Sequence, residues 1–559
     1  MVKRILSFVG REIGGLHEAA YLLAGSAVLS LVFALVRDRL LAHILGASAQ
    51  LDVYYAAFRI PDLIYVTVAS LVSTSILVPF LIESRQKGQE ELKTSIQNLF
   101  SAFLVLIVVV CAIAFVLMGP IQKGLFPNLF EMGLGADLVL ASRILLLSPI
   151  LLGVAGFFTS ITQIQNRFLA YALTSPLYNV GIIIGILFFL PHLGVSGLAW
   201  GVALGALLLS LTQVPFAMRD GLFPRFSVSF DWARIKKVVT LAIPRTFTLS
   251  SQQLTTLSLV SFASFLGTGS ISIFNLALNL QSVPLAIIGA SYSSAAFPVL
   301  AKLIGEGNRQ AFLDKMISAT RHIIFWSVPV TVLFIVLRAQ IVRVALGTGT
   351  FDWSDTRLTA AALALFVISS AGQSLMLLFV RSFYAEGKTA KPLLINVVSM
   401  AFTVGIAIVF LKLYSASSSF AYFTESLLRT DGVESSAVLM LPLAFTVGTF
   451  FNFLLHWKMF SRDWPGFTKP LVGTAARSIG SAIIGGYATY GSLRIFDDVF
   501  SLETAVGVFM QGICAGIVGM AVIAFMLWAM RSPELRDIIA ALRNKVWKVD
   551  RASLDRLQS

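Results

Sequence analysis

Three arginines interrupt long apolar runs of this chain: Arg37, Arg59 and Arg143. A charged side chain at membrane depth is costly, so it usually marks a transport pathway or a binding site. The guanidinium group is planar and can hydrogen bond two oxygens of one phosphate at once. Asp52 and Asp62, on either side of Arg59, could balance the arginines or form a cation site. The pattern indicates a cavity for an anionic substrate, such as a lipid-linked phosphate.

The three arginines share a predicted depth in the membrane. Each lies about seven to nine residues from the predicted outer end of its helix, which is roughly 10–14 Å at 1.5 Å per residue. We therefore expect a ring of positive charge in the outer half of a cavity.

The elements that must position these residues are membrane-spanning helices. The chain has 559 residues, of which 57% are hydrophobic and only 13% are charged, whereas soluble domains have roughly 25% charged residues. Many apolar runs exceed the ~18 residues that span a bilayer as a helix, and the sequence lacks the short alternating strands of a β-barrel. The sequence predicts an all-α polytopic membrane protein.

Fourteen spans are predicted, and Lys and Arg lie mainly on one side of them. By our tally that side carries about 29 Lys and Arg against about 7 on the other, which predicts that both termini are cytoplasmic. This asymmetry accounts for the net charge of +14 without a nucleic-acid partner. The predicted spans are about 21–46, 53–83, 96–118, 136–162, 168–190, 196–218, 236–266, 270–302, 314–346, 356–384, 390–412, 436–460, 474–496 and 502–530.

An internal repeat divides the chain. A Leu-Gly pair, then a proline, then a glycine recur with similar spacing at 45–88 and 266–307. Six spans separate the two copies, which predicts two parallel six-helix lobes, an arrangement typical of alternating-access transporters. The predicted divisions are an amphipathic N-terminal segment 1–20, a first lobe 21–218, a cytoplasmic linker 219–235, a second lobe 236–460, a helix pair 474–530 and a basic amphipathic cytoplasmic tail 531–559.

Other polar residues allow two interpretations. Arg245 and Arg381, near the predicted cytoplasmic ends of their spans, could be gate residues or could extend to the membrane interface. Asn279 and other neutral polar side chains of the second lobe fit interhelical hydrogen bonds or substrate contacts. The sequence has no Walker A motif and no catalytic constellation, and Cys111 and Cys514 lie in apolar runs. We expect no enzymatic activity, no metal and no cofactor.

Several motifs, taken in order and spacing, resemble one family. They are Arg37-Asp38, Leu45-Gly46-Ala47-Ser48, DVYYAAFRIPD at 52–62, Asn166-Arg167-Phe168, Ser175-Pro176-Leu177-Tyr178-Asn179, Ile243-Pro244-Arg245 and Phe383-Tyr384-Ala385. The set resembles the MurJ/MviN branch of the multidrug/oligosaccharidyl-lipid/polysaccharide (MOP) exporters. These are flippases of the bacterial cytoplasmic membrane that move lipid II, the undecaprenyl-diphosphate-linked peptidoglycan precursor, to the outer face.

The resemblance implies a fold and residue roles. Two six-helix lobes would surround a central cationic cavity, and the last two helices would form a groove for the lipid tail. Arg37 would be a diphosphate ligand and Asp52 a cavity residue. Some positions depart from the family pattern. Where well-studied members have arginine, this chain has Leu31, Tyr65 and Asn279, and Ser282 replaces a nearby glutamate.

Because of these departures, the sequence does not decide between several substrates. The lead interpretation is a lipid II flippase that works by alternating access in cell-wall synthesis. The substrate could instead be another polyprenyl-diphosphate-linked oligosaccharide, such as a surface polysaccharide unit. A drug or cation antiporter would need a membrane carboxylate, for which Asp38 and Asp62 are candidates. A non-transporting scaffold would tolerate loss of the three arginines. Membrane lipids would be partners, and a monovalent cation could be one.

Overall fold

The chain folds into a bundle of helices. The computed structural model describes residues 16–69, 74–165, 173–219, 221–227 and 230–540. A long apolar sequence in a bilayer must satisfy its backbone hydrogen bonds internally, and a helix does so within one segment. The described residues contain no strand, and fourteen helical runs follow the fourteen predicted spans in order. The prediction of an all-α polytopic fold is confirmed.

We number these runs α1–α14. They are α1 (Leu16–Leu45), α2 (Ala49–Ala57, Arg59–Ile64, Tyr65–Ala69 and Thr74–Gln86), α3 (Gln89–Leu125), α4 (Gly135–Leu145 and Leu147–Ile164), α5 (Thr174–Ile184, Gly185–Phe189 and Leu190–Leu193), α6 (Val195–Leu211), α7 (Trp232–Ala263), α8 (Ser270–Pro284, Leu285–Ala290 and Ser291–Gly305), α9 (Arg309–Val336), α10 (Trp353–Ile368 and Ser370–Ala385), α11 (Ala390–Ala416), α12 (Ser436–Leu439 and Met440–Asp463), α13 (Lys469–Asp497) and α14 (Ala505–Ala529). Short helices Pro127–Glu131, Val214–Arg219, Arg338–Ala345 and Ser418–Leu428 lie between them.

Length and composition mark many of these runs as membrane spans. Among the described residues, eight helices are each long and apolar enough to cross a membrane. The two halves of α10, which meet at a bend of 41°, form a ninth such span when they are taken together. The chain is therefore a multi-pass membrane protein.

The sequence repeat is visible in α2 and α8, the second helix of each lobe. Each contains a short π-helical segment, Tyr65–Ala69 in α2 and Leu285–Ala290 in α8. Such segments are frequent at functional sites. The repeat glycines before these helices, Gly46 and Gly267, have φ of 63° and 111°, a region that glycine enters without steric cost. The two lobes thus share this helix geometry as well as their order along the chain.

The apolar core has three large parts. One part lies at the predicted outer end and contains residues of both lobes, such as Leu51, Phe274 and Phe366. Toward the predicted inner end, the first lobe has a cluster around Phe157 and the second lobe has a separate one around Phe379. The lobes therefore share one core at the outer end, and further in their clusters are separate, although Val238 of α7 packs in the cluster of the first lobe.

Helices α13 and α14 pack on each other and on α9. Small residues allow this close approach: a Cβ atom on Gly485 would lie 2.2 Å from Ile523. The start of the tail is anchored here, because the buried carboxylate of Glu534 accepts hydrogen bonds from Thr474 (2.5 Å) and Ser532 (2.7 Å). The remainder of the predicted tail, most of the predicted amphipathic segment 1–20 and the motif at 166–168 lie outside the described residues.

Candidate substrate cavity between the lobes

A polar cavity of about 740 Å³ lies between the two lobes. It is bounded by α2, α4, α5 and α6 of the first lobe and by α7 and α8 of the second. Its polar and charged lining side chains are Arg59, Asp62, Tyr65, Thr159, Thr174, Gln252, Gln253, Thr256, Asn275 and Asn279. The π-helical segment Tyr65–Ala69 of α2 contributes to this wall next to Arg59 and Asp62, which lie in the α-helical turns just before it.

Arg59 lines the cavity and also bridges the lobes. Its Nη2 donates a hydrogen bond to Oδ1 of Asn275 at 2.5 Å, and its Nε donates to the backbone oxygen of Tyr55 at 3.2 Å. Asp62, which also lines the cavity, attracts the guanidinium electrostatically. The cavity wall therefore contains one positive and one negative side chain at neighbouring positions of α2.

Arg37 lies beside the cavity within a hydrogen-bonded network. Its Nη2 forms an ion pair with Oδ1 of Asp38 at 2.8 Å, and its Nη1 donates to Asn179 at 3.0 Å. The other oxygen of Asp38 accepts a hydrogen bond from Asn279 at 3.2 Å, and Asn279 lines the cavity. Arg37 is thus connected to the cavity edge through Asp38 and Asn279, and it already has partners in this state.

Arg143 does not join the expected ring of positive charge. Its Nε donates to the backbone oxygen of Phe115 on α3, and its guanidinium carbon lies 4.7 Å from the centre of the Phe115 ring. The cavity-lining residues of α4 include Leu152 and Thr159, which lie roughly half a turn around the helix from Arg143 at 3.6 residues per turn. A shared depth did not mean a shared face. Of the three arginines, Arg59 alone lines the cavity.

Asp52 also lies away from the cavity, in the contact between the lobes. Its two carboxylate oxygens accept hydrogen bonds from the backbone nitrogens of Gly269 and Ser272, each at 2.7 Å, and from the Ser272 hydroxyl at 2.6 Å. These donors belong to the first turn of α8, whose own N-cap, Gly269, has no side chain to cap it. A carboxylate is stabilised there by free N–H groups and by the helix dipole. Asp52 of one lobe thus caps a helix of the other.

Further contacts close the predicted outer side of the cavity. The backbone nitrogen of Ala47 donates to Asp355 at 3.1 Å, and the nitrogen of Thr350 donates to the oxygen of His43 at 3.0 Å. The backbones approach so closely that a Cβ atom on Gly46 would lie 2.8 Å from the oxygen of Thr350. Together with the Asp52 cap, these contacts seal the lobes against each other at this end.

The predicted inner side is held differently. Arg234, near the start of α7, forms an ion pair with Glu91 of α3 at 2.9 Å. The candidate gate residue Arg381 is half-buried near the end of α10. The other, Arg245, belongs to α7, but its side chain lies outside the described part of the structure. Among the described residues that line the cavity, Arg381 does not appear.

A second, apolar cavity of about 660 Å³ lies beside the first, between α1, α8, α9 and α14. Its walls include Leu35, Leu280, Phe334 and Phe509. The resemblance implied a lipid-tail groove on the last two helices. Of these two helices, α14 contributes residues to the wall of the apolar cavity, whereas α13 contributes none of the described lining residues and packs against α9 and α14.

Sequence reasoning gave no role to Asn179, although the residue stands in one of the quoted motifs. Its side-chain oxygen accepts from Arg37, and its nitrogen lies 3.3 Å from the hydroxyl of Ser30. A polar residue in an apolar span was the available signal.

Within the described ranges, no group of three or more His, Cys, Asp or Glu side chains is placed to hold a metal ion.

Comparison with known sequences decides the family. The family model described as "Lipid II flippase MurJ" matches residues 41–510, which is most of the chain. The chain belongs to the MurJ family. The predicted resemblance is confirmed.

Curated relatives of the MurJ family are similar over most of their length. "Lipid II flippase MurJ" of Burkholderia cenocepacia is 26% identical over 393 residues, which cover 68% of this chain and 76% of the relative. "Probable lipid II flippase MurJ" of Vibrio cholerae is 27% identical over 437 residues, which cover 74% of this chain and 82% of the relative.

Solved structures show the same fold. A structure described as "Lipid II flippase MurJ, inward closed conformation" matches with a TM-score of 0.70 and 20% identity, covering 93% of this chain and all of that one. An inward-facing multidrug resistance MATE family transporter of the MOP superfamily matches with a TM-score of 0.61 and 16% identity. The match covers 78% of this chain and 95% of that transporter. The two-lobed transporter fold is therefore shared beyond the MurJ family.

Proposed function

We propose that this chain is a lipid II flippase that moves the lipid-linked peptidoglycan precursor from the inner to the outer leaflet of the bacterial cytoplasmic membrane. Membership of the MurJ family carries this proposal. The cavity between the lobes supports it, because Arg59 offers a guanidinium group to a diphosphate at the centre of the molecule. The apolar cavity beside α14 supplies a surface for the polyprenyl tail.

The mechanism is alternating access between two arrangements of the lobes. The described state is closed on the outer side by the Asp52 cap and by the hydrogen bonds of Arg59 to Asn275 and of Asn279 to Asp38. All of these join the first lobe to the second, so they must break when the cavity opens outward. Breaking them releases Arg59 and Asp38 from their partners in the second lobe.

The orientation and the driving force form part of the same proposal. The excess of Lys and Arg at one end of the bundle supports a cytoplasmic position of both termini. Asp62 is the acidic side chain of the cavity wall and sits beside Arg59. It is the position at which a coupled monovalent cation would bind. Transport is then a binding and conformational process without a covalent step.

A second substrate is favoured by one observation. Tyr65 and Asn279, which stand where the resemblance implies arginine, both line the cavity. The wall is less positive than a family-type cavity would be. This favours a different polyprenyl-diphosphate-linked oligosaccharide, with the same fold and mechanism but fewer phosphate contacts.

The test is movement of fluorescent lipid II between leaflets in liposomes that contain the purified protein. A polyprenyl-diphosphate glycan of another type is measured in parallel. Arg59→Gln should lose transport of the true substrate, because the cavity loses its guanidinium group. Arg143→Gln is the matched control and should retain it, since Arg143 contacts Phe115 away from the cavity.

Each outcome separates the hypotheses. Movement of lipid II that depends on Arg59 supports the lead function, whereas movement of the other glycan alone supports the second. A folded protein that moves neither, at any imposed ion gradient or membrane potential, contradicts the flippase proposal. Equal loss in the two arginine variants would contradict the assignment of the cavity.

A further inference from the structure

Several arginine side chains lie close together at one place on the predicted outer end, where Lys and Arg are otherwise few. By our tally about seven Lys and Arg lie on that side: Lys123, Arg338, Arg343, Arg357, Lys412, Arg429 and Arg494. Arg338, Arg357 and Arg429 line one cavity of about 570 Å³. Arg494 hydrogen bonds to Tyr490, which lines the same cavity. We call this cavity the arginine pocket. It lies away from the cavity between the lobes.

Three elements of the second lobe and α13 build the arginine pocket. The short helix after α9 supplies Arg338, the start of α10 supplies Arg357, and the turn after Ser418–Leu428 supplies Arg429. Arg429, with a φ of 60°, is the residue that ends the helix Ser418–Leu428, a position where the left-handed conformation is common. The arginines therefore come from separate segments that the fold brings together.

The positive charge of the pocket has no acidic partner among the described residues. Arg357 donates to the backbone oxygen of Arg429 at 2.7 Å, and Arg338 donates to that of Leu428 at 3.4 Å. No ion pair within 4 Å involves Arg338, Arg357, Arg429 or Arg494 in the described ranges. Burial and the nearby Arg429 guanidinium lower the pKa of Arg338. Like charges held together without a counter-charge favour the binding of an anion.

The acidic side chains of neighbouring segments are used elsewhere. Asp431 accepts a hydrogen bond from Ser426 at 2.8 Å, and Asp497 accepts one from Gln511 at 2.5 Å. Asp352 caps the start of α10. Each of these carboxylates already has a hydrogen-bond donor, and none of them lines the pocket.

The position of the pocket suits a ligand at the membrane surface. Trp353 and Tyr490, both exposed, form part of its wall, and these residue types concentrate at the membrane–water interface. Arg338 follows directly on the spanning helix α9. On the cytoplasmic side of membranes, basic pockets between transmembrane helices bind phosphate headgroups of lipids. The same chemistry applies at the outer side, because the planar guanidinium group of arginine matches the geometry of phosphate oxygens.

We propose that the arginine pocket binds a phosphate group at the predicted outer surface of the membrane. The ligand chemistry is a phosphate group, free or in a phosphodiester, held by Arg338, Arg357 and Arg429. Two sources present it there: the headgroup of an anionic phospholipid and a phosphate in solution. The site does not depend on which lipid-linked glycan the cavity between the lobes carries.

The experiment uses the full chain in nanodiscs. Thermal unfolding and ligand titration are measured in phosphatidylcholine alone, with phosphatidylglycerol added, and with inorganic phosphate added at constant ionic strength. The pocket variant is Arg338→Gln with Arg429→Gln. The charge-matched control is Lys123→Gln with Lys412→Gln, two exposed outer lysines that do not line the pocket. Arg429→Gln alone, at an exposed position, replaces the double variant if that does not fold.

We expect the pocket variant to weaken binding at least about tenfold, since hydrogen bonds between charged groups are the strong ones, while the control binds as the wild type does. Stabilisation by phosphatidylglycerol alone identifies a lipid headgroup, and stabilisation by inorganic phosphate in phosphatidylcholine identifies a soluble ligand. The proposal is overturned if neither ligand stabilises the wild type, or if the pocket and control variants respond equally.

Discussion

Replacement of Asp52 by asparagine tests the seal between the lobes. The carboxylate accepts three hydrogen bonds from the first turn of α8, two of them from backbone nitrogens. An asparagine keeps one oxygen acceptor and puts an NH2 group where the other oxygen was. That group cannot accept from the donors it faces, so at least one hydrogen bond to α8 is lost, together with the negative charge at the helix N-terminus.

The size of the effect follows from these lost interactions. A hydrogen bond to a charged group contributes about 1.5–3 kcal/mol, and the charge at the helix N-terminus contributes about 0.3–1 kcal/mol. We therefore expect Asp52→Asn to destabilise the outward-closed state by about 2 kcal/mol relative to the outward-open one. Because every 1.4 kcal/mol is tenfold, the outward-open population should rise about 30-fold.

The assay is the rate at which an impermeant maleimide, added outside intact cells, alkylates a single cysteine at Leu278→Cys. Leu278 lines the cavity, so the reagent reaches it when the outer side opens, and the rate reports that population even when it is small. The native Cys111 and Cys514 are replaced by alanine. Asp137→Asn is the matched control, because Asp137 is exposed at the start of α4. An Asp52→Asn rate within threefold of the parent, in folded protein, would refute the reasoning.

Three further substitutions test other parts of the structure. Gly46→Ala places a Cβ against Thr350 at a φ of 63°, so we expect about tenfold faster outer alkylation; Gly119→Ala, in α3 with open space around it, should not change the rate. Glu534→Gln should lower the free energy of unfolding by about 1–3 kcal/mol because a buried charged acceptor is lost, seen as a lower Tm; an unchanged Tm contradicts the anchoring role. Asn279→Arg adds a cation to the cavity wall and should tighten lipid II binding about tenfold in a titration; unchanged affinity would contradict a contact between this position and the substrate.

Sequence reasoning pointed to a segment that lines the cavity between the lobes but assigned the faces of its helices incompletely. The cost of charge in an apolar run singled out Arg59, and the structure places it on the cavity wall. The same rule selected Arg143, yet depth along a helix does not specify direction around it, and Arg143 faces α3. Asp52 was expected in the cavity because the family resemblance implied that role. Its role as a helix cap was missed because its partners, Gly269 and Ser272, belong to a helix more than two hundred residues later in the sequence.

The sequence by itself determined the membrane character, the helical runs and the repeat. These properties depend on local quantities: the length of apolar segments, the position of glycine and the distribution of Lys and Arg. Tertiary structure decided which polar groups meet. Asp38 with Asn279, Arg59 with Asn275 and the arginines of the outer pocket are pairs or groups from distant segments. Their juxtaposition depends on how two lobes pack, and that packing is a property of surfaces that no single segment contains.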